Sequence, residues 1–409
     1  MSEWKKVKLG EISQTIQTGP FGSQLHQSDY SVIGIPVVMP KDIIAGNIEE
    51  ASIARVEQHH IDRLSRHMIS YGDILYARRG DVGKCAFTKQ NQEGWLCGTG
   101  CLRVTINPDM ANPKFVFFQL QKQETIGWIT NHAIGSTMLN LNTTILSNAP
   151  VEIPSLRIQN RIVEILSRYD SLIENYQKQI KLLEEAAQRL YKEWFIDLHF
   201  PEHENTKIVD GVPEGWEKKT IADVCTNISS GSTPSRSNKA YWENGTIKWV
   251  KTKELQDGWI LDTEEYISQE GYNSSSTKMF PVNTILMAIY ASPTLGRLGI
   301  LSTDCCCNQA ALGLIADENI ISWQWLFWKL YELRDEFNAI ARGAGQQNIS
   351  GIVVKNKEII IPDKGVIDGF TSVVSKMFEQ QKSLSSQLRL LTEARDRLLP
   401  KLMSGEITV

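Results

Sequence analysis

The feature that most constrains this chain is that it repeats itself at long range, because two copies of one plan predict two similar bodies rather than a single core. Both copies open on a tryptophan, a lysine pair and a short apolar stretch: EWKKVKLGEISQTIQTG around Trp4 and GWEKKTIADVCTNISSG around Trp216. Both close their variable part on Ile-Pro, VEIPSLRIQN at Pro154 and IIIPDKGVID at Pro362, so that 362 minus 154 sets a period of 208. Between these markers GDILYARRGDVGK answers to NTILMAIYASPTLGR, with Lys84 opposite Arg297, and NPKFVFFQLQ answers to ISWQWLFWKL. GSTMLNLNTTILSNAPVEIP answers to GAGQQNISGIVVKNKEIIIP, with Gly135 opposite Gly343 and Asn140 opposite Asn348.

After each Ile-Pro the apolar period changes from strand-like alternation to steps of four and three. In the first copy the steps are Ile162, Leu166, Tyr169, Ile173, Tyr176, Ile180, Leu183, Ala187, Leu190 and Trp194. One period later they are Phe370, Val374, Met377, Gln381, Leu384, Leu388, Leu391, Arg395, Leu398 and Leu402, with polar interruptions at Gln381 and Arg395. No Gly or Pro falls between Pro154 and Pro201, or between Gly369 and Pro400. Each run therefore predicts a helix of about 30 to 40 residues, roughly 45 to 60 Å long, with a coiled-coil seam. A partner-helix interface is expected at Ile162, Leu166, Ile173, Ile180, Leu183, Leu190, Leu384, Leu388, Leu391 and Leu398.

A chain of 409 residues exceeds the length at which single cores stop growing, about 250 to 300 residues. The expected class is α+β: a globular domain over residues 1–155, a spacer helix over 156–199, a polar linker over 200–214, a second globular domain over 215–362, and a second helix with its tail over 363–409. Antiparallel pairing of the helices would carry the globular units to opposite ends, related by a pseudo-twofold axis. Such a caliper suits duplex DNA, whose strands have matching symmetry; a scaffold gripping a protein dimer has the same outline.

Apolar residues at 42% and charged residues at 22% describe a folded globular protein, and the formal charge of -4 argues against wrapping nucleic acid through bulk positive charge. No apolar run reaches the roughly 18 residues that cross a bilayer, and MSEWKKVKLGEIS lacks the apolar core of a signal peptide, so a cytoplasmic location with no membrane partner is expected. Seven cysteines, an odd number without framework spacing, read as reduced thiols. Cys305, Cys306 and Cys307 invite a zinc reading, but adjacent residues on an extended segment point to opposite faces and no CxxC accompanies them, so buried thiols and no metal are expected.

LYKEWFIDL, SSGSTPSRSNKAYWENGTIKWVKTKEL, GAGQQNISGIVVKNKEIIIP and the final LLPKLMSGEI occur in order at this period, and together they resemble the specificity subunit of type I restriction-modification systems over essentially the whole chain. The first copy departs from the pattern, with TGPFGSQLHQSDY in place of GSTPSR and Met138 and Leu139 in place of Gln346 and Gln347. The resemblance implies two target-recognition domains that each read one half of a split, asymmetric DNA site. It implies double-stranded DNA, two methyltransferase subunits and restriction/translocase subunits as partners. S-adenosylmethionine, ATP and Mg would belong to those partners, with no cofactor in this chain.

The chain itself lacks the parts for such chemistry and no catalytic residue is expected. It has no Asn-Pro-Pro-Tyr or Asp-Pro-Pro-Tyr run to clamp a flipped adenine, no glycine-rich loop for a methyl donor and no GxxxxGK[ST] phosphate loop. Gly83-Lys84 is followed by Cys85, and Glu214 and Glu217 before Lys219 straddle a turn. An autonomous nuclease or methyltransferase would need motifs of that kind, whereas a scaffold binding only proteins would need none.

Direct reading of bases needs paired donors and acceptors on loops that reach the major groove. Arg78 and Arg79 leave the strand GDILYA with Lys84 across the turn, a candidate reader or a solvated hairpin tip, and Gln24 lies in the loop GPFGSQ. Ser232, Thr233, Ser235 and Arg236 occupy a Gly/Pro loop, and Lys251 and Lys253 alternate as on one strand face that could grip a phosphate row. Gln346, Gln347 and Asn348 carry amides able to pair with adenine, and Asn140 and Arg297 are candidates by their place in the repeat. Trp323, Trp325, Phe327 and Trp328 lie on a short amphipathic helix, where core packing is expected over base stacking.

Overall fold

The computed structural model describes residues 4–135, 139–290, 294–343 and 348–409. They form two compact units, Met1–Ser171 with Thr392–Val409, and Leu172–Leu391.

In the first unit four antiparallel strands lie in the order Ser13–Thr18, Cys101–Ile106, Ile74–Ala77 and Cys85–Phe87. ILYA is buried at every position, as a strand covered on both faces must be. Alternation decides what each residue meets: Ile74 and Tyr76 join the core built on the helices, while Leu75 and Ala77 join the core beneath a second sheet. That second sheet runs Leu96–Cys97, Ile35–Val38, Ala54–Val56, Tyr30–Ser31. Helix Pro113–Leu120 begins where Asn112 accepts the Lys114 and Phe115 amides and Pro113 takes the first turn. It buries Phe115, Val116 and Leu120 completely.

The second unit repeats this frame. Its sheet runs Cys225–Ser230, Ala311–Ala316, Ile285–Ala288, Leu298–Leu301, with a fifth strand, Gly258–Ile260, added at the edge. Ile285 and Met287 face the helical core and Leu286 and Ala288 the other side, matching the first unit residue for residue. Strands Pro150–Ile153 and Glu358–Ile361, which pair with the opening strands Lys5–Lys8 and Glu217–Thr220, keep the 208-residue period of the Ile-Pro markers. The α+β class and the internal repeat of the sequence reading hold.

The two long helices are Leu156–Phe195 and Lys364–Met403, each of 40 residues and so about 60 Å long. Within the first unit Ile162 and Leu166, near the start of one, share a core with Leu402 and Met403, at the end of the other, and Asp170 pairs with Arg395 at 3.5 Å. Within the second unit Tyr191, Trp194 and Phe195 pack on Phe370, with ring centroids 6.1, 6.1 and 5.1 Å apart. Start meets end in both units, so the helices pair antiparallel within each. Of the expected interface residues, Ile162, Leu166, Ile173 and Leu384 are buried; Ile180, Leu183, Leu190, Leu388, Leu391 and Leu398 are half-buried.

Two boundaries differ from the sequence reading, and the second helix, expected within 363–409, runs on through Gly369 and Pro400. An interior proline costs about 3 kcal/mol. Here Pro400 and Asp396, whose carbonyl loses its partner, are both exposed to water, and beyond them Leu402 and Met403 are buried at about 1.5 to 3 kcal/mol each, which offsets the loss. The first helix ends at Phe195, four residues early, where the His199 amide donates back to the Glu193 carbonyl at 2.8 Å and Leu198 turns left-handed. The linker is not purely polar: Phe200 is buried against Trp216 at 5.4 Å, and Ile208–Val209 pairs with Val212–Pro213. Among the described residues no helix is long and apolar enough to cross a membrane.

Candidate nucleic-acid interface

Strand register brings separate candidate residues to one end of one sheet. Thr18 stands opposite Leu102, Ala77 opposite Cys101, and the Ala77 amide donates to the Lys84 carbonyl at 3.0 Å. Three loops therefore leave the sheet at the same end, after Thr18, between Ala77 and Cys85, and before Cys101, and backbone bonds tie them to one another and to the Leu141 segment. Gly19 donates to the Cys101 carbonyl at 2.9 Å, Arg78 to Gly100 at 2.7 Å, and Leu141 to Arg78 at 2.8 Å. In the second unit Gly231 donates to Ala311 at 3.2 Å, Ile289 to Ala310 at 2.9 Å, Ile349 to Ile289 at 3.0 Å, and Ala288 to Arg297 at 2.9 Å. Arg79 bridges Asn140 as Tyr290 bridges Asn348. The hydrogen bonds thus make Arg78 equivalent to Ile289, Arg79 to Tyr290, Lys84 to Arg297 and Asn140 to Asn348.

In the first unit Arg78, Asn140, Phe21 and Gln24 converge. The Arg78 Nε donates to Asn140 Oδ1 at 3.2 Å, and its guanidinium lies 5.8 Å from the centre of the half-exposed Phe21 ring. Arg78 is held by the sheet rather than carried on a hairpin tip. Arg79 is exposed and makes no ion pair among the described residues, and Lys84 reaches Asp81 at 3.0 Å. Gln24 differs from its expected role: its Oε1 accepts the Phe21 amide at 3.2 Å, so half of its amide closes the loop that presents Phe21.

The second unit spends several of its candidates on itself. Lys251 and Lys253 do not share a strand face, because the strand ends at Val250 and Thr252–Glu254 is a tight turn whose Glu254 accepts the Lys251 amide at 2.6 Å. Lys251 pairs with Glu265 at 2.7 Å and Glu264 at 3.0 Å, contacts that raise its pKa, and Lys253 pairs with Glu264 at 2.6 Å. Arg236 stacks 3.6 Å from the Trp242 ring and pairs with Glu265 at 2.5 Å. The Ser232 and Ser276 hydroxyls bond at 2.8 Å, as do those of Ser235 and Ser237, and Thr233 donates to Gln309. Arg297 is half-buried without an ion pair among the described residues. Gln346 and Gln347 lie outside the described residues.

Phe21, Tyr290, Ser276 and Gln309 escaped the sequence reading. No linear signal marks them, since Ser276 and Gln309 sit 44 and 76 residues from the hydroxyls they bond. Trp325, Phe327 and Trp328 are core residues, and Trp323 packs edge-on against Phe378 at 5.0 Å. Cys305 and Cys307 enter one apolar core and Cys306 another, as alternation requires. Burial pushes the Cys306 and Cys307 thiols up to about 12. No group of His, Cys, Asp or Glu among the described residues is arranged to hold a metal.

Comparisons with known proteins place this geometry. The chain is 27% identical, over its whole length and 94% of the relative's, to the specificity subunit of the type I restriction enzyme MjaIX of Methanocaldococcus jannaschii. It is 25% identical, over the whole of both chains, to the specificity subunit of the type I restriction enzyme HindI of Haemophilus influenzae. Its fold matches the crystal structure of a type I restriction-modification S subunit from M. genitalium with a TM-score of 0.67, at 16% identity, over 98% of this chain and 96% of that one. The family model for the type I restriction modification DNA specificity domain matches twice, over residues 1–185 and 213–384, and the chain belongs to that family.

Proposed function

We infer that the chain is the non-catalytic, sequence-reading subunit of a type I restriction-modification complex, and that each unit reads one half of a split, asymmetric DNA site. The observation that carries this reading is the pair of equivalent loop clusters. The backbone frame at the sheet end is the same twice, while Arg78 and Arg79 on one frame answer to Ile289 and Tyr290 on the other. One frame with unlike side chains is what reading two different half-sites requires. Two methyltransferase subunits dock on the long helices and methylate an adenine flipped from the stack, and restriction/translocase subunits complete the assembly. S-adenosylmethionine, ATP and Mg serve those partners, and the complex works in the cytoplasm.

The test is an exchange of residues 215–362 for the corresponding unit of a relative, in a host that also carries the methyltransferase partner, followed by sequencing of the methylated motif. One half of the motif should change and the other persist. A change in both halves, or in neither, would remove the reading of one half-site per unit.

A further inference from the structure

We propose that Arg78 reads a guanine in the half-site of the first unit, in an end-on pose set by Asn140 and Phe21, and that the second unit has no equivalent contact. This rests on the DNA-reading function above and names the base chemistry of one of its sites.

Arg78 is anchored at its backbone by two bonds, its amide to Gly100 at 2.7 Å and its carbonyl from Leu141 at 2.8 Å, so its Cα belongs to the sheet end and not to a loose tip. Its Nε is committed to Asn140 Oδ1 at 3.2 Å and its plane rests near Phe21. Among the described residues nothing else accepts from the guanidinium, and neither Nη atom is among the buried polar atoms that lack a partner. Among the described residues the two Nη groups are therefore uncommitted. A guanidinium held by its Nε presents two parallel N–H bonds, the pattern that matches O6 and N7 of guanine in the major groove; adenine offers an amino donor where guanine has O6. Asn140 and Phe21 also remove side-chain freedom before binding, which reduces what must be ordered at the interface.

Other candidate cations lack this arrangement. Lys84 is a point charge already beside Asp81 at 3.0 Å, suited to a phosphate and without the planar fork that Arg78 presents. Arg236 has one Nη on Glu265 at 2.5 Å and its face on Trp242, so its pairing edge is occupied. Ile289, which holds the place of Arg78 in the second unit, is 3% exposed and carries no donor.

The experiment compares the wild-type chain with Arg78→Ala, Arg78→Lys and Asn140→Ala, each expressed with its methyltransferase partner in a host whose methylated motif is then sequenced. Arg78→Ala and Arg78→Lys should each lose discrimination by roughly 5- to 150-fold at a single G·C pair of one half-site, the range of a bidentate contact, while the other half-site stays sharp. The intact half-site reports that the chain is folded. Asn140 is a positioning residue, and Asn140→Ala should weaken the same pair by less, a position-specific effect that general destabilisation would not produce. The proposal is overturned if Arg78→Lys leaves the motif unchanged, if Arg78→Ala slackens all positions alike as loss of a phosphate contact would, or if the affected half-site contains no G·C pair. A wild-type complex that methylates without any motif would instead remove the DNA-reading function itself, so the two failures are told apart by that control.

Discussion

Gly19 and Gly231 end the opening marker of each repeat, and their substitution tests whether the two loop clusters are built alike and read independently. A Cβ added at Gly19 would lie 2.1 Å from the Gly98 carbonyl oxygen, and one added at Gly231 would lie 2.1 Å from the Cys307 carbonyl oxygen. Ordinary contact begins at 3.4 Å, so the backbones must part by 3.4 minus 2.1, or 1.3 Å, with no flexible side chain able to yield instead. A parting of 1.3 Å along the 2.9 Å bond from the Gly19 amide to the Cys101 carbonyl would stretch it to as much as 4.2 Å, beyond any hydrogen bond. Overpacking costs about 1 to 3 kcal/mol and the lost bond about 0.5 to 1.5 kcal/mol, so Gly19→Ala should lower the stability of the first unit by about 2 to 4 kcal/mol. That corresponds to roughly 4 to 16 °C in a unit of this size. The same shift moves the Phe21 loop away from the Gly98–Gly100 loop, so the first half-site should blur while the second stays intact, and Gly231→Ala should do the reverse. Calorimetry of the purified variants and motif sequencing in the host give the two readouts. A Gly19→Ala chain that melts like the wild type, or that blurs both half-sites equally, would refute the reasoning.

Other predictions follow from groups inside single units. Burial, with nearby Asp257 second, raises the Glu184 carboxyl above its ordinary range. The folded chain then holds that proton more tightly than the unfolded one, so stability is greatest with Glu184 protonated and falls as pH rises from the unfolded pKa through the folded pKa. Glu184→Gln should therefore be more stable than the wild type near neutral pH and equal to it in acid, as urea midpoints at about pH 4 and about pH 7 will show. Arg334 forks onto both oxygens of Asp257 and also donates to the Gly296 carbonyl at 2.8 Å. Arg334→Ala strands that carboxylate, and with both side chains 21% exposed the loss should be about 2 to 3 kcal/mol, below the range for fully buried pairs; an unchanged urea midpoint would contradict this. Burial pushes Cys85, Cys97 and Cys225, like Cys306 and Cys307, up to about 12, so a disulfide reagent at about pH 8 should leave these five unlabelled in the native chain and reach all seven thiols in urea. Rapid native labelling at Cys306 or Cys307 would contradict their burial.

The repeat and the helices were legible because both are statements about period, and period survives changes of residue. Lys84 opposite Arg297 is a match of pattern alone, yet the same backbone bond from the central strand reaches both. The limits of the helices were less legible. Gly369 and Pro400 are local stop signals, and they lose to burial of Phe370 on one side and of Leu402 and Met403 on the other. Side-chain roles at the sheet end were least legible, because they depend on partners far along the chain. Lys251 and Lys253 read as an open cationic pair until a separate strand brings Glu264 and Glu265 beside them, and Gln24 reads as a free amide until its own loop closes on it.

The same contrast bears on how a chain of net charge -4 can bind a polyanion. In the second unit Lys251 and Lys253 are neutralised by Glu264 and Glu265, and Arg236 shares Glu265 with Lys251, while Arg297 makes no ion pair among the described residues. In the first unit Arg78 and Arg79 meet no carboxylate among the described residues, and only Lys84 meets Asp81. Non-specific affinity scales with the number of phosphates that uncommitted cations can neutralise, so Arg79 contributes more to it than Lys253. The salt dependence of binding should accordingly drop further when Arg79 is replaced by alanine than when Lys253 is, because Lys253 must first give up the 2.6 Å contact with Glu264 that it already has. Measuring the slope of binding against salt for the complete complex decides it. Equal slopes for the two variants would mean that the ion pairs of the second unit open freely, and that its lysines face the phosphates after all.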